Sequence, residues 1–274
     1  MTNDAGHVVG VRTSDDIRLS DWKQRYAEQL PIPLDGMWQS FVDAAQHYEL
    51  VIAGTVVGYG CIDSEKRVLQ FATDVGPETR IACFDQLIDT SKAETAVVAT
   101  CEQEFLDACE HRSCSPPTIV ALMYHVPTAS RIESANSLQD CRVDWITKPH
   151  LDGAVTMAHD AIGAPADWLN KYYTERIAGR ELLGIWKGER LIGTGECRPS
   201  RRRAGFADLG MIVSPDFRCQ GLATDILRWL IRYGHEQGLQ AICSTQPQNV
   251  AAQRAIEKAG FVQYHQILQY EFDR

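Results

Sequence analysis

No apolar run in the 274-residue sequence approaches the ~20 residues needed to cross a bilayer. The opening segment, Met1 to Ser20, is polar and acidic and lacks the apolar core of a secretory signal. These absences give the expectation of a cytoplasmic protein with no membrane partner. There is no Cys-x-x-Cys pair, and no histidine cluster accompanies the nine cysteines at zinc-ligand spacing, so no metal site is expected. Cys101, Cys109 and Cys114 lie closest together. The odd count and the compartment fit reduced, partly buried thiols. Positive charge is in deficit, with 27 Lys and Arg against 36 Asp and Glu and a net charge of -9. That argues against nucleic acid as the main partner. It is compatible with a cationic amine substrate, although solubility is the commoner reason for such a charge.

What is present is the composition of a folded protein, 45% hydrophobic and 23% charged, at a length that suits one large domain or two ordinary ones. One stretch organises the rest: Val213 to Ala223, V-S-P-D-F-R-C-Q-G-L-A. The apolar run Phe206 to Val213 before it reads as a strand. Thr224 to His235 after it carries Ile226, Leu227, Leu230 and Ile231 at helical spacing. Pro215 marks the strand exit. The stretch is therefore a strand–turn–helix joint. The first N–H groups of a helix have no partner within it, and the macrodipole makes that end positive. Gly221 and Ala223 carry little or no side chain, so a phosphate or pyrophosphate can approach those groups closely.

Arg218-x-x-Gly221-x-Ala223 resembles the coenzyme A pyrophosphate loop of the GNAT acyltransferases, [RQ]-x-x-G-x-[GA]. A second segment, Asn249-V-A-Ala252-Q-R-A-Ile256-E-Lys258-A-Gly260-Phe261, resembles the later helix motif of the same family, N-x-x-[AS]-x-x-x-Y-x-K-x-G-F. A helix and a short strand, Gln240 to Thr245, separate the two motifs. The resemblance covers Arg142 to Arg274.

Along the chain, His7 to Arg12 reads as a strand, Thr13 to Asp16 as a cap cluster, and Ile17 to Gln29 and Trp38 to Tyr48 as helices. Glu49 to Gly54, Val56 to Asp63 and Val68 to Thr73 read as strands joined by tight turns. Ile81 to Asp89 is a short helix, Thr95 to Thr100 a strand, Glu102 to His111 a helix and Thr118 to Val126 a strand. In the second half, Arg142 to Ile146 reads as a strand and His150 to Ile162 and Asp167 to Ala178 as helices. The second half also answers the first, in order. Leu191-I-G-T-G-E-C matches Val56-V-G-Y-G-C, Val213-S-Pro215-D-F-Arg218 matches Val75-G-Pro77-E-T-Arg80, and Ala241-I-C-S-T matches Ala96-V-V-A-T. This is an internal repeat. The fold class implied is α/β with a mixed α+β sheet: two tandem GNAT-like folds, each a mostly antiparallel twisted sheet flanked by helices.

The boundary is placed after the Ser-rich segment Ser130 to Ser137, giving domains 1–138 and 139–274. After Arg80 comes I-A-C-F-D, where Ile81 to Phe84 would set bulky side chains against a pyrophosphate, and the helix there reads as shorter. The first domain is thus expected to keep the architecture without binding coenzyme A, as cover for the catalytic half or a wall of an acceptor cleft. Arg201-Arg202-Arg203 reads either as a solvated hairpin tip or as a contact for a 3′-phosphate or an acidic partner.

The resemblance implies acetyl transfer from acetyl-CoA, the acyl donor, to an amine on a small molecule or peptide by direct attack in a ternary complex, and leaves room for a homodimer. It implies that Arg218, Cys219, Gln220, Gly221, Leu222, Ala223 and Thr224 hold the pyrophosphate, and that pantetheine lies along Leu209 to Val213. Met211, Ile212 and Val213 would be its strand contacts, and the strand would part there from Gln240 to Thr245. Asn249 resembles the family's asparagine that contacts pantetheine or the leaving thiol; as a helix N-cap it would also be well placed. Asp208 and Glu196 are the competing general bases, each of which could instead be an ordinary strand residue. Ile256 stands where the family has an acidic tyrosine, which leaves Tyr264, Tyr270, Ser244 or water to protonate the thiolate. Two other classes stay open: a non-catalytic acyl-CoA binder and a scaffold.

Overall fold

The computed structural model describes residues 9–15, 17–128 and 132–273. His7 and Val8 of the predicted first strand, Asp16 of the cap cluster and Ser130 of the Ser-rich segment lie outside the described residues. The chain divides into two compact units, Met1–Leu122 with His265–Arg274, and Met123–Tyr264.

The first unit runs β1 (Val9–Ser14), α1 (Ser20–Gln29), α2 (Gly36–Ala44), β2 (Gln46–Ile52), β3 (Thr55–Ile62), β4 (Arg67–Thr73), α3 (Pro77–Ser91), β5 (Thr95–Ala99) and α4 (Gln103–Arg112), and then enters β6 (Thr118–His125). Asp35 starts α2 by accepting the Trp38 N–H at 2.7 Å. The helix stops at Ala44 rather than at the predicted Tyr48. The reason is tertiary: Gln46–Ile52 pairs on both edges, with β1 and with β3, and those ladders outweigh the local helical pattern. Ala53 and Gly54, at φ +48° and +84°, close the β2–β3 hairpin as a primed turn does. At the next hairpin the Asp63 carboxylate accepts the Glu65 and Arg67 N–H groups, the polar tip that the sequence shows.

Strand order in this unit is β1-β2-β3-β4-β5, and beyond β5 lies the last strand of the chain, β12 (Val262–Glu271). Pairing is antiparallel except between β4 and β5. Ile267–Glu271 pairs with Ala99–Thr95, and Tyr270 and Phe272 enter a core built on Phe71, Phe84 and Phe105. The C-terminal tail therefore belongs to the first unit, which differs from the 138/139 division. A pairing across so long a sequence separation leaves no local signal.

The second unit runs β7 (Arg142–Trp145), α5 (Leu151–Ile162), α6 (Ala166–Ala178), β8 (Leu182–Lys187), β9 (Arg190–Pro199), β10 (Phe206–Val213), α7 (Leu222–Glu236), β11 (Gln240–Thr245) and α8 (Val250–Ala259). Its strands lie in the order β6-β11-β10-β9-β8-β7, with β10–β11 parallel and β7 to β10 antiparallel. Each unit is thus a mixed, mostly antiparallel sheet flanked by helices. Among the described residues no helix is long and apolar enough to cross a membrane.

The repeat is visible in packing. A Cβ on Gly195 would come within 2.8 Å of Ile226 and 3.0 Å of Leu230 on α7. Its counterpart Gly60 would meet Leu87 of α3 at 2.4 Å. In both units a glycine on the second hairpin strand lets the long helix sit down on the sheet.

Candidate active site

α7 packs against the glycine face of β9, and this fixes where the helix begins. Between β10 and α7 the chain makes a 3-10 turn, Pro215–Phe217, and then an exposed loop. Cys219 and Gly221 are left-handed there, at φ +60° and +81°. No side chain caps α7, so its first N–H groups stay available at an exposed end. No heavy atom lies within 4 Å of where a Gly221 Cβ would stand. This cradle fits a pyrophosphate on backbone N–H groups and the helix dipole.

Arg218 is placed differently. Its guanidinium donates to the Val213 carbonyl at 3.3 Å and to the Ala161 carbonyl, at the end of α5, at 2.5 Å. Arg80, its repeat partner, donates to the Val75 carbonyl at 3.3 Å. Both arginines brace the strand exit. Gln220 donates to the Asp216 carbonyl within the loop at 3.3 Å. Leu222 and Thr224 are buried on the first turn of α7, and Ala223 is half-buried.

β10 and β11 pair only through Phe206↔Gln240, Ala207↔Ala241 and Asp208↔Ile242. Beyond Asp208 they part, so Leu209–Val213 has no partner on that edge. Met211 and Ile212 are half-buried along the gap, and Val213 is buried. Asn249 caps α8, its side chain accepting the Ala252 N–H at 3.1 Å. The helix-cap reading is therefore what its geometry shows.

Both candidate carboxylates lie on one face of the sheet. Asp208 sits opposite Arg198, and Glu196 opposite Gly210. Asp208 is 4% exposed, and the Arg198 guanidinium donates to it. Glu196 is turned toward Gly210, with its Oε2 3.9 Å from where a Cβ would stand, at the point where β11 has already departed. The Tyr172 hydroxyl, from α6, donates to Glu196 Oε2 at 2.6 Å and accepts from Arg198 Nη1 at 2.6 Å. Burial first, then the Glu196 charge, pushes the Tyr172 hydroxyl well above the usual phenol range. It stays a neutral donor.

Neither Tyr172 nor Arg198 carries a motif in the sequence. Strand alternation from Glu196 would have reached Arg198, two residues along. Nothing local marks Tyr172, since only the packing of α6 on the sheet brings it to Glu196. Tyr264 packs edge-on against the His125 ring at 5.3 Å. Tyr270 lies in the core of the first unit, where its hydroxyl donates to Glu110 at 3.4 Å. Ile256 is buried on α8.

The first unit fills the equivalent ground. Between β4 and α3 there is only Asp74–Gly76, and α3 starts at Pro77. The pyrophosphate loop is absent rather than blocked. Ile81–Phe84 lies within the helix, and Cys83 and Phe84 belong to the core. α3 is also not shorter, since it and α7 each have 15 residues. By strand register the first unit has Cys61 where Glu196 stands, and Gln70, opposite Cys61, where Gly210 stands. Gln70 accepts from the buried Tyr59 hydroxyl at 2.9 Å, and buried Lys23 lies 2.9 Å from His47.

Residues 15–124 match an acetyltransferase (GNAT) domain model, and residues 151–261 match the acetyltransferase (GNAT) family model. The comparison with curated proteins found no match. A tandem GNAT protein from the clavulanic acid biosynthesis pathway superposes with a TM-score of 0.64 at 14% identity, over 97% of this chain and 99% of that one. A GCN5-related N-acetyltransferase from Sphaerobacter thermophilus superposes with a TM-score of 0.65 at 11% identity, over 96% and 94%. An acetyltransferase of the GNAT family from Colwellia psychrerythraea is 32% identical over 96% of this chain and 100% of its own, with a TM-score of 0.88. By that likeness and the two domain matches, the chain belongs to the GNAT acetyltransferase family, as a tandem of two GNAT domains.

Proposed function

We propose that the second unit transfers an acetyl group from acetyl-CoA to the amine of a small molecule or peptide, in a ternary complex, as a cytoplasmic enzyme. The observation that carries this is the parting of β10 from β11 after Asp208, beside an uncapped, glycine-led helix start. Bound acetyl-CoA would supply the activated acyl thioester. The N–H groups at Gly221–Thr224 would hold its pyrophosphate, and the free edge of Leu209–Val213 would take the pantetheine arm. Met211, Ile212 and Val213 line that edge.

Between the two carboxylates, the geometry favours Glu196 as the general base. Asp208 is committed to Arg198 on the last residue paired with β11. Glu196 faces the bare Gly210 backbone next to the gap. A positioned base of this kind contributes roughly 10²–10⁴ in rate. Asp208 holds Arg198, and Arg198 in turn supports Tyr172 and Glu196. Asn249 orders α8 behind the gap.

The test is calorimetry of the full chain with coenzyme A, followed by turnover of acetyl-CoA with a panel of amines. One site per chain is expected. Ala223→Asp places a negative charge at the helix start, which stabilises the helix by about 0.3–1 kcal/mol but repels a phosphate. Affinity should fall at least about tenfold while the melting temperature holds. Unchanged affinity in Ala223→Asp would remove the pyrophosphate assignment. Coenzyme A binding without turnover of any amine would leave a binding protein.

A further inference from the structure

We infer that Tyr172 is the positioning residue of the reaction centre: its hydroxyl holds the Glu196 carboxylate toward Gly210 and ties it to Arg198. The inference rests on the reading of Glu196 as the base. The geometry around the ring is what carries it. Trp168, one turn earlier on α6, stacks on the Tyr172 ring at 4.9 Å and 8°. The Arg176 guanidinium, one turn later, lies over the same ring at 5.2 Å. Arg176 is itself held by Glu181 at 2.7 Å. Beside it, Tyr173 is fully buried in the core of the second unit and anchors this turn of α6.

The tyrosine is therefore held through neighbours on its own helix, and its hydroxyl has one place to go. It donates to Glu196 Oε2, the oxygen turned toward Gly210, and so fixes the direction of that carboxylate. It accepts from Arg198, whose other nitrogen is bonded to Asp208. Glu196, Tyr172, Arg198 and Asp208 form one connected chain of hydrogen bonds, with Tyr172 as its only member from a helix. Tyr172 does not serve as the missing acid, because its proton is already committed to the base.

The experiment compares Tyr172→Phe, Glu196→Gln and the double variant in the full chain, on whichever amine of the panel the wild type acetylates. Tyr172→Phe keeps the ring, so its stacking and its acetyl-CoA affinity should stand. Expected are a fall in kcat of roughly 10–100-fold with KM for acetyl-CoA unchanged, and an acid limb of the rate profile moved to higher pH. In the Glu196→Gln background, Tyr172→Phe should cost almost nothing more, because the two act as a unit. The carbon-13 shift of the Glu196 carboxyl at fixed pH, which needs no acceptor, should move in Tyr172→Phe as the hydrogen bond is lost. If Glu196→Gln loses rate while Tyr172→Phe keeps both rate and pH profile, the positioning role is overturned and the base stands. If Glu196→Gln keeps full rate, both fall. An unmoved carboxyl shift in Tyr172→Phe also overturns the inference.

Discussion

Single residues show both how far sequence reading reaches and where it stops. Gly221 was legible because a helix start without side chains has a distinctive composition, and its left-handed φ agrees with that reading. Arg218 matched a motif, yet its guanidinium serves the strand exit, as Arg80 does in the repeat. A motif gives the residue type at a position, while the direction of a long side chain is set by what surrounds it. Glu102 makes the same point and leads to a prediction. It stands before α4 where Asn249 stands before α8, but its carboxyl turns inward. It accepts the Ala99 N–H at 2.6 Å, its other oxygen is buried without a hydrogen bond, and Cys109 on α4 is a titratable group that its charge reaches. Burial pushes this carboxyl up to about 8. A carboxyl raised on folding stabilises the fold fully below its unfolded value near 4.5, and that stability is lost as pH rises through the folded value. Denaturant melts should lose on the order of a few kcal/mol between pH 5 and pH 8, and Glu102→Gln, which keeps the acceptor, should flatten the loss. Equal pH slopes for both proteins would refute the assignment.

At the scale of elements, the strands and the long helices were readable because their periodicity is local. α2 was read as too long because the strand that follows begins with residues a helix also accepts. The gap between β10 and β11 was expected only through the family resemblance; its physical origin is the register, which holds Phe206–Asp208 against Gln240–Ile242 and then lets the strands diverge. The position of α7 depends on small residues beneath it. Gly195→Ala should cost about 1–3 kcal/mol, as overpacking does, and should weaken coenzyme A binding by shifting the helix whose N-terminus forms the cradle. Gly153→Ala on α5, where an added Cβ meets nothing within 4 Å, should be neutral or stabilising by up to about 1 kcal/mol. Urea melts of the two variants provide the comparison, and equal stabilities would refute the packing argument.

For the whole molecule, the repeat was legible in the sequence, and the ownership of the last strand was not. A chain ended after Leu138 lacks Ile267–Phe272, so it leaves β5 with an open edge and removes Tyr270 and Phe272 from the core of the first unit. It should aggregate, and fusing residues 262–274 to its end through a flexible linker should restore a soluble fold with cooperative melting. A soluble, cooperatively melting 1–138 fragment would show that the strand is dispensable. The same arrangement bears on biosynthesis. Domains usually fold in the order in which they leave the ribosome, but here the first unit needs residues translated only after the whole of the second unit. While residues 123–264 are being made, on the order of ten seconds at ordinary elongation rates, β5 must wait unpaired. The first unit therefore closes after the second has been made, and the nascent chain carries an adhesive edge throughout that interval.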